Sequence, residues 1–343
     1  MRPSALGGYD DWPDFVRDTL PLTGDELTTK VAGLLGVPEP GAAPAVRTVD
    51  EWQADGIHTS ELEWTIPFGP PTRAWLLRPA GRAPRAGLLG LHCHAGVKSI
   101  GAERLVDVPR PSRVAVRVRE DLYEGQAAAG VLARAGFVVL CHDTFAWGSR
   151  RFELPAEDDE SYDVAAAVHE HTVAKAAGIL GTSLAGMVAY DDLTALSVLR
   201  GIESVEKVGV FGLSGGGGRA AILTALDPGI EASAVVCMMT TFAGLIPSYV
   251  DAHSWLFSTP GLARHLDHPT LAAGRARHQQ LVVYAEDDEL FSPAGMHDAD
   301  RELTEHFHYG PGSYEGVWLP GRHRFDAGMQ RLVGDFLTKA LYT

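Results

Sequence analysis

The sequence predicts an α/β protein: a mostly parallel sheet with helices on both faces. Two observations carry that prediction. Short, continuous apolar runs recur along the chain, with the length and composition of strands buried on both faces. Stretches of helical length separate them, as connections between parallel strands require. A third observation sets the organisation. No internal repeat or low-complexity linker interrupts the 343 residues, so one large domain is the simplest account.

The elements follow in order. Residues 1–55 read as an N-terminal helical extension packed on the main domain, its pieces broken by Pro21, Pro38, Pro40 and Pro44. The main domain is expected over 56–343. Ile57 to Ile66 and Thr72 to Arg78 are extended runs on either side of Gly69-Pro70-Pro71, and Ala86 to Cys93 is the first wholly apolar strand. A helical stretch from Tyr123 to Ala135 precedes the strand Phe137 to Cys141, and a long helical region ending at Leu199 precedes the strand Val208 to Phe211. Gly218 to Leu226 then reads as helix, Ala232 to Met238 and Leu281 to Tyr284 as strands, Gly316 to Leu319 as the last strand, and Asp326 to Leu341 as the closing helix. Insertions at 149–190 and 242–275 break the alternation. They are expected at the end of the sheet where α/β proteins bind ligands, as lid or pocket-wall elements.

Composition excludes some functions. A net charge of −15 opposes nucleic-acid binding, which needs a clustered Lys/Arg surface. The acidity is densest at Glu157-Asp158-Asp159-Glu160 and reads as a solvated surface. The N-terminal residues lack the apolar core of a signal peptide, and no run reaches the roughly 18 apolar residues of a membrane span, so no membrane partner and a cytoplasmic location are expected. Three widely spaced cysteines, Cys93, Cys141 and Cys237, give neither a disulfide framework nor a metal knuckle. A homo-oligomer is compatible with the sequence but not specified by it.

The chemistry centres on Gly212-Leu213-Ser214-Gly215-Gly216. A bare Gly-x-Ser-x-Gly match is weak, but this one follows a strand and opens a helix. That is the setting of a nucleophile elbow, where a serine on a strained turn leaves no room for side chains at its flanking positions. Gly215, next in the chain, would offer its backbone N–H to an oxyanion. The competing reading, a phosphate-cradling turn, wants a lysine or a Gly-x-Gly-x-x-Gly near the first strand, and neither is present.

A serine nucleophile needs a base, and the base needs an orienting carboxylate, in the chain order Ser, acid, His. The strand Leu281 to Tyr284 runs into Ala285-Glu286-Asp287-Asp288-Glu289, where Asp288 is the first choice of acid and Asp287 its competitor. His323, in the loop between the last strand and the closing helix, is the candidate base. His297, His306 and His308 read as surface histidines. A second oxyanion donor is expected in the loop His92-Cys93-His94-Ala95-Gly96, at Ala95 or Gly96. A metal site from His92, His94 and His142 is the weaker reading of these residues, because consecutive strand residues face opposite ways. Asp143 reads as a turn-former. Phe145, Trp147, Met238 and Trp255 are candidate substrate-pocket walls and equally plain core.

The segments LGLHCHAGVK (89–98), AGFVVLCHDTFAWGSRR (135–151), GTSLAGMVAYDDLTALSVL (181–199), VGVFGLSGGGGRAA (208–221), LVVYAEDD (281–288) and GRHRF (321–325) together resemble the α/β-hydrolase superfamily. Within it, the chain is similar to the dienelactone-hydrolase and acetyl-xylan-esterase-like branch of bacterial esterases. The resemblance spans roughly residues 56–343. It implies an eight-stranded sheet with an antiparallel second strand, a Ser/Asp/His triad, and ester hydrolysis without metal or cofactor. Two departures stand out. The His-Gly pair usual in the oxyanion loop is His94-Ala95 here, and the cysteine nucleophile of dienelactone hydrolases is a serine. The expected activity is hydrolysis of a small-molecule carboxylic ester through an acyl-enzyme. The alternatives are an acyltransferase, lactonase or tailoring enzyme using the same triad, and a non-catalytic binding protein of the same fold.

Overall fold

Each apolar run read as a strand falls on a strand, and the sheet has nine strands rather than the expected eight. The computed structural model describes residues 2–16, 26–81 and 85–342. Its strands are β1 (Arg47–Ala54), β2 (Ile57–Trp64), β3 (Thr72–Pro79), β4 (Ala86–Leu91), β5 (Val138–His142), β6 (Lys207–Leu213), β7 (Ala232–Val236), β8 (Gln279–Ala285) and β9 (Ser313–Leu319). They lie in the order β1-β2-β3-β5-β4-β6-β7-β8-β9. Strands β1 to β3 pair antiparallel, β3 runs antiparallel to β5, and β4 to β9 are parallel.

The additional strand is β1, in the stretch where the sequence predicts a helical extension. Its side chains are almost all exposed, so it carries no apolar run to betray it. Pairing with the full length of β2 supplies what burial does not. Earlier in the extension, helices α1 (Trp12–Val16) and α2 (Leu27–Leu35) do form. The break expected at Pro21 lies outside the described residues.

Helices cover both faces. Packed on one face are α3 (Arg113–Tyr123), α4 (Ala128–Arg134) and α11 (Ala327–Tyr342), which share an apolar cluster with inward side chains of β4 to β8. The helix expected over 123–135 is the shorter α4, and α3 ends where that expectation began. Helix α3 is polar on its outer face, which hides it from a reading based on apolar runs. Ser112 caps it, accepting from Ala115 N. On the other face lie α6 (Leu184–Arg200), α7 (Gly215–Leu226), α9 (His268–Ala273) and α10 (Pro293–His308). Helices α5 (Asp159–Leu180) and α8 (Phe242–Leu245) lie within 149–190 and 242–275, and α9, in the second stretch, packs on the sheet.

The acidic run at 157–160 starts α5. Asp158 caps it in a reciprocal capping box with Ser161, and Asp159 and Glu160 occupy its first turn, where carboxylates oppose the positive helix end. The extension is stitched to the α5–α6 corner. Gly36 ends α2 in the left-handed conformation, and Ser183 Oγ and Thr182 Oγ1 donate to Leu35 O and Gly36 O at 2.7 and 2.6 Å. No single described helix is long and apolar enough to cross a membrane.

The strand order places the candidate site. From β4 the chain passes to β5 on one side, then crosses to β6 on the other. The crevice between the C-terminal ends of β4 and β6 is therefore a topological switch point, where sheets of this kind bind ligands.

Candidate active site

Ser214 sits at the top of β6 with φ 54° and ψ −125°, a conformation that disfavours any side chain. Two close approaches impose it. A Cβ on Gly212 would lie 2.3 Å from the carbonyl carbon of Gly216, and one on Gly216 would lie 2.0 Å from Leu91 O at the end of β4. The elbow is pinned to β7 by Ser214 N donating to Val236 O at 2.9 Å. Helix α7 begins at once, at Gly215 rather than near Gly218, so its first N–H groups have no intrahelical acceptors and face the crevice end of the helix.

The loop after β4 leans on that elbow. A Cβ on Gly215 would lie 3.0 Å from His94 N. Residues His94 to Val97 make a tight turn closed by Val97 N donating to His94 O at 3.0 Å, with Ala95 at φ 54° and Gly96 at φ 65°. Gly96 N donates to His94 Nδ1 at 3.0 Å. Of the two donors named from sequence, Gly96 N is thus already engaged. Among the described residues, Ala95 N makes no hydrogen bond.

Asp288 and His323 meet. Asp288 is buried three residues past β8, and its Oδ2 lies 2.7 Å from His323 Nδ1, while its Oδ1 accepts from Leu290 N at 3.0 Å. Asp287 does different work. It is exposed, and its backbone N and side chain bond Gly321 O and Gly321 N at 3.0 and 3.2 Å, bracing the loop that carries His323. Cys237 links this pair to the elbow. It follows Val236, which accepts the Ser214 N–H, and its Sγ lies within 4.8 Å of donor atoms on both Asp288 and His323. Burial, then the Asp288 charge, pushes its thiol up to about 12, and Sγ donates to Arg324 O at 3.4 Å. A sulfur held as a thiol is a poor metal ligand, since coordination requires the thiolate. Among the described residues, neither Ser214 Oγ nor His323 Nε2 makes a hydrogen bond, as is common before substrate tightens such a site.

The three histidines of the alternative metal reading go to separate partners. His92 Nδ1 pairs with Cys93 O at 3.1 Å, His94 Nε2 with Glu170 at 3.2 Å, and His142 Nε2 with Asp192 at 3.0 Å. His297, His306 and His308 lie exposed on α10. All three cysteines are free and buried.

The candidate wall residues divide. Trp147 and Met238 are buried at 2% exposure each, Trp147 beneath the His94 ring and Met238 against the α7 glycines. Phe145 lines a cavity of about 1430 Å³, together with Phe68, Arg73 and Tyr162. That cavity contains none of Ser214, Asp288 or His323, so volume alone does not locate the chemistry. Trp255 is 37% exposed and joins the two insertions, its N and Nε1 donating to Glu170 Oε1 and His171 Nδ1, both at 2.8 Å.

Beneath the elbow is a charged network that sequence reasoning missed. Arg219 on α7 holds both carboxylate oxygens of Asp192 at 2.6 and 2.9 Å and also donates to His92 O at 3.1 Å. Burial alone would raise the Asp192 carboxyl, but the Arg219 charge and hydrogen bonds hold it below its ordinary range. Arg150 similarly joins Asp191 to the carbonyls of Phe68 and Pro70. Asp143 organises neighbouring loops by accepting from Ala102 N and Ser149 N, both at 2.8 Å. The available signal was a charge inside an apolar helical stretch, as at Asp191-Asp192 and Arg219, since such charges are rarely buried unpaired.

No family model and no curated protein matches the chain. Solved structures do. An acetyl xylan esterase from Thermoanaerobacterium sp. is 14% identical with a TM-score of 0.58, over 94% of this chain and 95% of its own. A glucuronoyl esterase from Solibacter usitatus is 12% identical with a TM-score of 0.62, over 92% of each chain. A methylesterase is 20% identical with a TM-score of 0.60 over 92% of this chain, which spans only 62% of that protein's length. At these identities the likeness is one of architecture. Sheet order, elbow and neighbours agree that the chain has the α/β-hydrolase fold.

Proposed function

We propose that the chain is a serine-dependent carboxylic ester hydrolase with Ser214 as nucleophile, His323 as general base and Asp288 as its orienting acid. The observation that carries this reading is the buried Asp288 carboxylate 2.7 Å from His323 Nδ1, at the same end of the sheet as the strained Ser214. With Nδ1–H donated to Asp288, Nε2 is left as the base. It accepts the Ser214 hydroxyl proton as Oγ attacks the ester carbonyl, then returns it to the leaving alcohol. Backbone N–H groups of Gly215 and Ala95 stabilise the oxyanion. Water then deacylates the enzyme by the same route. The structural neighbours are named as esterases, which supports ester cleavage as the reaction type. The buried thiol of Cys237 acts as packing in this scheme.

The test is a panel of p-nitrophenyl esters of increasing acyl length, run with wild type and Ser214→Ala. Loss of several orders of magnitude in kcat for Ser214→Ala is expected. Near-full hydrolysis by that variant would sink the proposal. Adding a competing alcohol or thiol in the same assay separates hydrolysis from acyl transfer.

A further inference from the structure

We propose that Glu170 is the positioning residue of the oxyanion turn, and that through it the two insertions set the catalytic competence of that turn. The inference rests on the functional reading above and concerns how its oxyanion donor is held.

Glu170 lies in the first insertion, on α5, and is buried at 5% exposure. Its Oε2 lies 3.2 Å from His94 Nε2 and contacts the Lys98 ammonium, and its Oε1 accepts from Trp255 N at 2.8 Å. One carboxylate therefore touches the turn's first residue, a lysine just beyond the turn, and the second insertion. The hydrogen bonding fixes the His94 tautomer. Because Gly96 N donates to Nδ1, that nitrogen is unprotonated, and the proton sits on Nε2 and points at Glu170. The neutral ring is satisfied on both sides. It braces the turn from inside and leaves the Ala95 N–H as the donor without a partner.

The surroundings make the bracing stiff. The His94 ring meets the Trp147 ring edge-on at 5.3 Å, and the Lys98 ammonium lies 4.5 Å from the centre of the same indole. A second α5 carboxylate, Asp163, accepts from Lys98 N and Ser99 N at 2.8 and 2.7 Å, fixing the exit of the loop. Burial disfavours both members of the Lys98–Glu170 pair as ions. Even so, His94 and Lys98 hold the Glu170 carboxyl below its ordinary range. Losing the Glu170 charge would strand a buried ammonium and release the His94 ring, so the turn could not keep its geometry.

The experiment compares wild type, Glu170→Gln and Lys98→Met/Glu170→Gln, each normalised to the Ser214 labelled to completion by a fluorophosphonate. In Glu170→Gln, the amide N–H₂ competes with His94 and Lys98 as a third donor. We expect kcat on p-nitrophenyl acetate to fall about 10- to 100-fold, somewhat less than the ~10²–10³ seen on deleting an oxyanion donor outright. KM should stay within about twofold, and affinity for an alkylboronic acid, which mimics the tetrahedral state, should fall in parallel with kcat. The double variant removes the stranded ammonium and lets the introduced amide carbonyl accept from His94, so kcat should recover partly. It also keeps the test alive if Glu170→Gln alone does not fold. Unchanged kcat per labelled serine with unchanged boronate affinity, in whichever of the two variants folds, would overturn the proposal. If wild-type Ser214 failed to label at all, the nucleophile assignment would be at fault instead.

Discussion

Replacing Ser214 by glycine is expected to abolish hydrolysis and raise stability together, and the second effect can be sized from the backbone. At φ 54° and ψ −125°, a residue with a Cβ carries strain of about 1–3 kcal/mol. Glycine removes that strain but gives the unfolded chain more freedom, at a cost of roughly 0.5–1 kcal/mol. The net gain should be about 0.5–2 kcal/mol. Unfolding entropy near ~2.1 cal/mol/K per residue, over 343 residues, turns this into a Tm rise of about 1–3 °C. Ser214→Ala is the control. It keeps the Cβ, and Ser214 Oγ makes no hydrogen bond among the described residues, so alanine should melt close to wild type. Differential scanning calorimetry of the three proteins at one scan rate reads the effect. A glycine variant melting at or below the alanine variant would show that the elbow is not strained, and the argument from the turn would fail.

Three other consequences are open to measurement. Gly216→Ala puts a methyl 2.0 Å from Leu91 O, which demands a shift of about 1 Å at the elbow and about a 10²-fold loss of kcat, whereas Gly178→Ala on open α5 surface should leave activity intact. Equal activity of the two variants would refute the close-approach reading. His268 is fully buried and its pKa is lowered to about 4, so the folded chain refuses a proton that the unfolded chain takes up at about 6.5. Its contribution is intact above about pH 6.5 and is lost as pH falls toward 4, up to about 3 kcal/mol. His268→Phe, in a ring site between Phe242 and Phe257, should flatten the acid limb of Tm against pH, and an unchanged slope would count against the assignment. Arg219→Met leaves Asp192 buried without its bidentate partner, and urea titration should register a loss of about 3–5 kcal/mol. A loss under about 1 kcal/mol would mean the network does not hold the elbow to β4.

The legible part of this fold was the part written in apolar runs. Strands β4 to β8 are buried almost throughout, so each appears as a continuous apolar stretch, and their order with the intervening helices implied the parallel sheet. Strand β1 was illegible because its pairing with β2 is a backbone matter and its side chains face water. Boundaries moved where glycine misled. Gly215, Gly216 and Gly217 read as turn, yet they begin α7, and close packing against His94, Leu91 and Met238 excludes anything larger there.

The candidate residues Ser214, Asp288 and His323 were nameable because each follows a recognisable strand. Asp288 was the first choice over the adjacent Asp287, and side-chain direction distinguishes them: Asp287 is exposed and braces a loop, Asp288 is buried against His323. Glu170, Lys98, Asp192 and Arg219 could not be paired from sequence, since their partners lie 27 to 127 residues away. Only the packing of α5 and α6 across the strand ends brings them together.

The proposed mechanism requires Ser214 to become acylated. Rapid mixing with p-nitrophenyl acetate, quenching in acid and mapping the peptides by mass detects that acyl-enzyme. A burst of p-nitrophenol is expected, matched by one acetyl group on the peptide carrying Ser214, absent in Ser214→Ala and formed far more slowly in His323→Ala. Turnover with no acetyl on that peptide, or acetyl found on Cys237 instead, would contradict the mechanism.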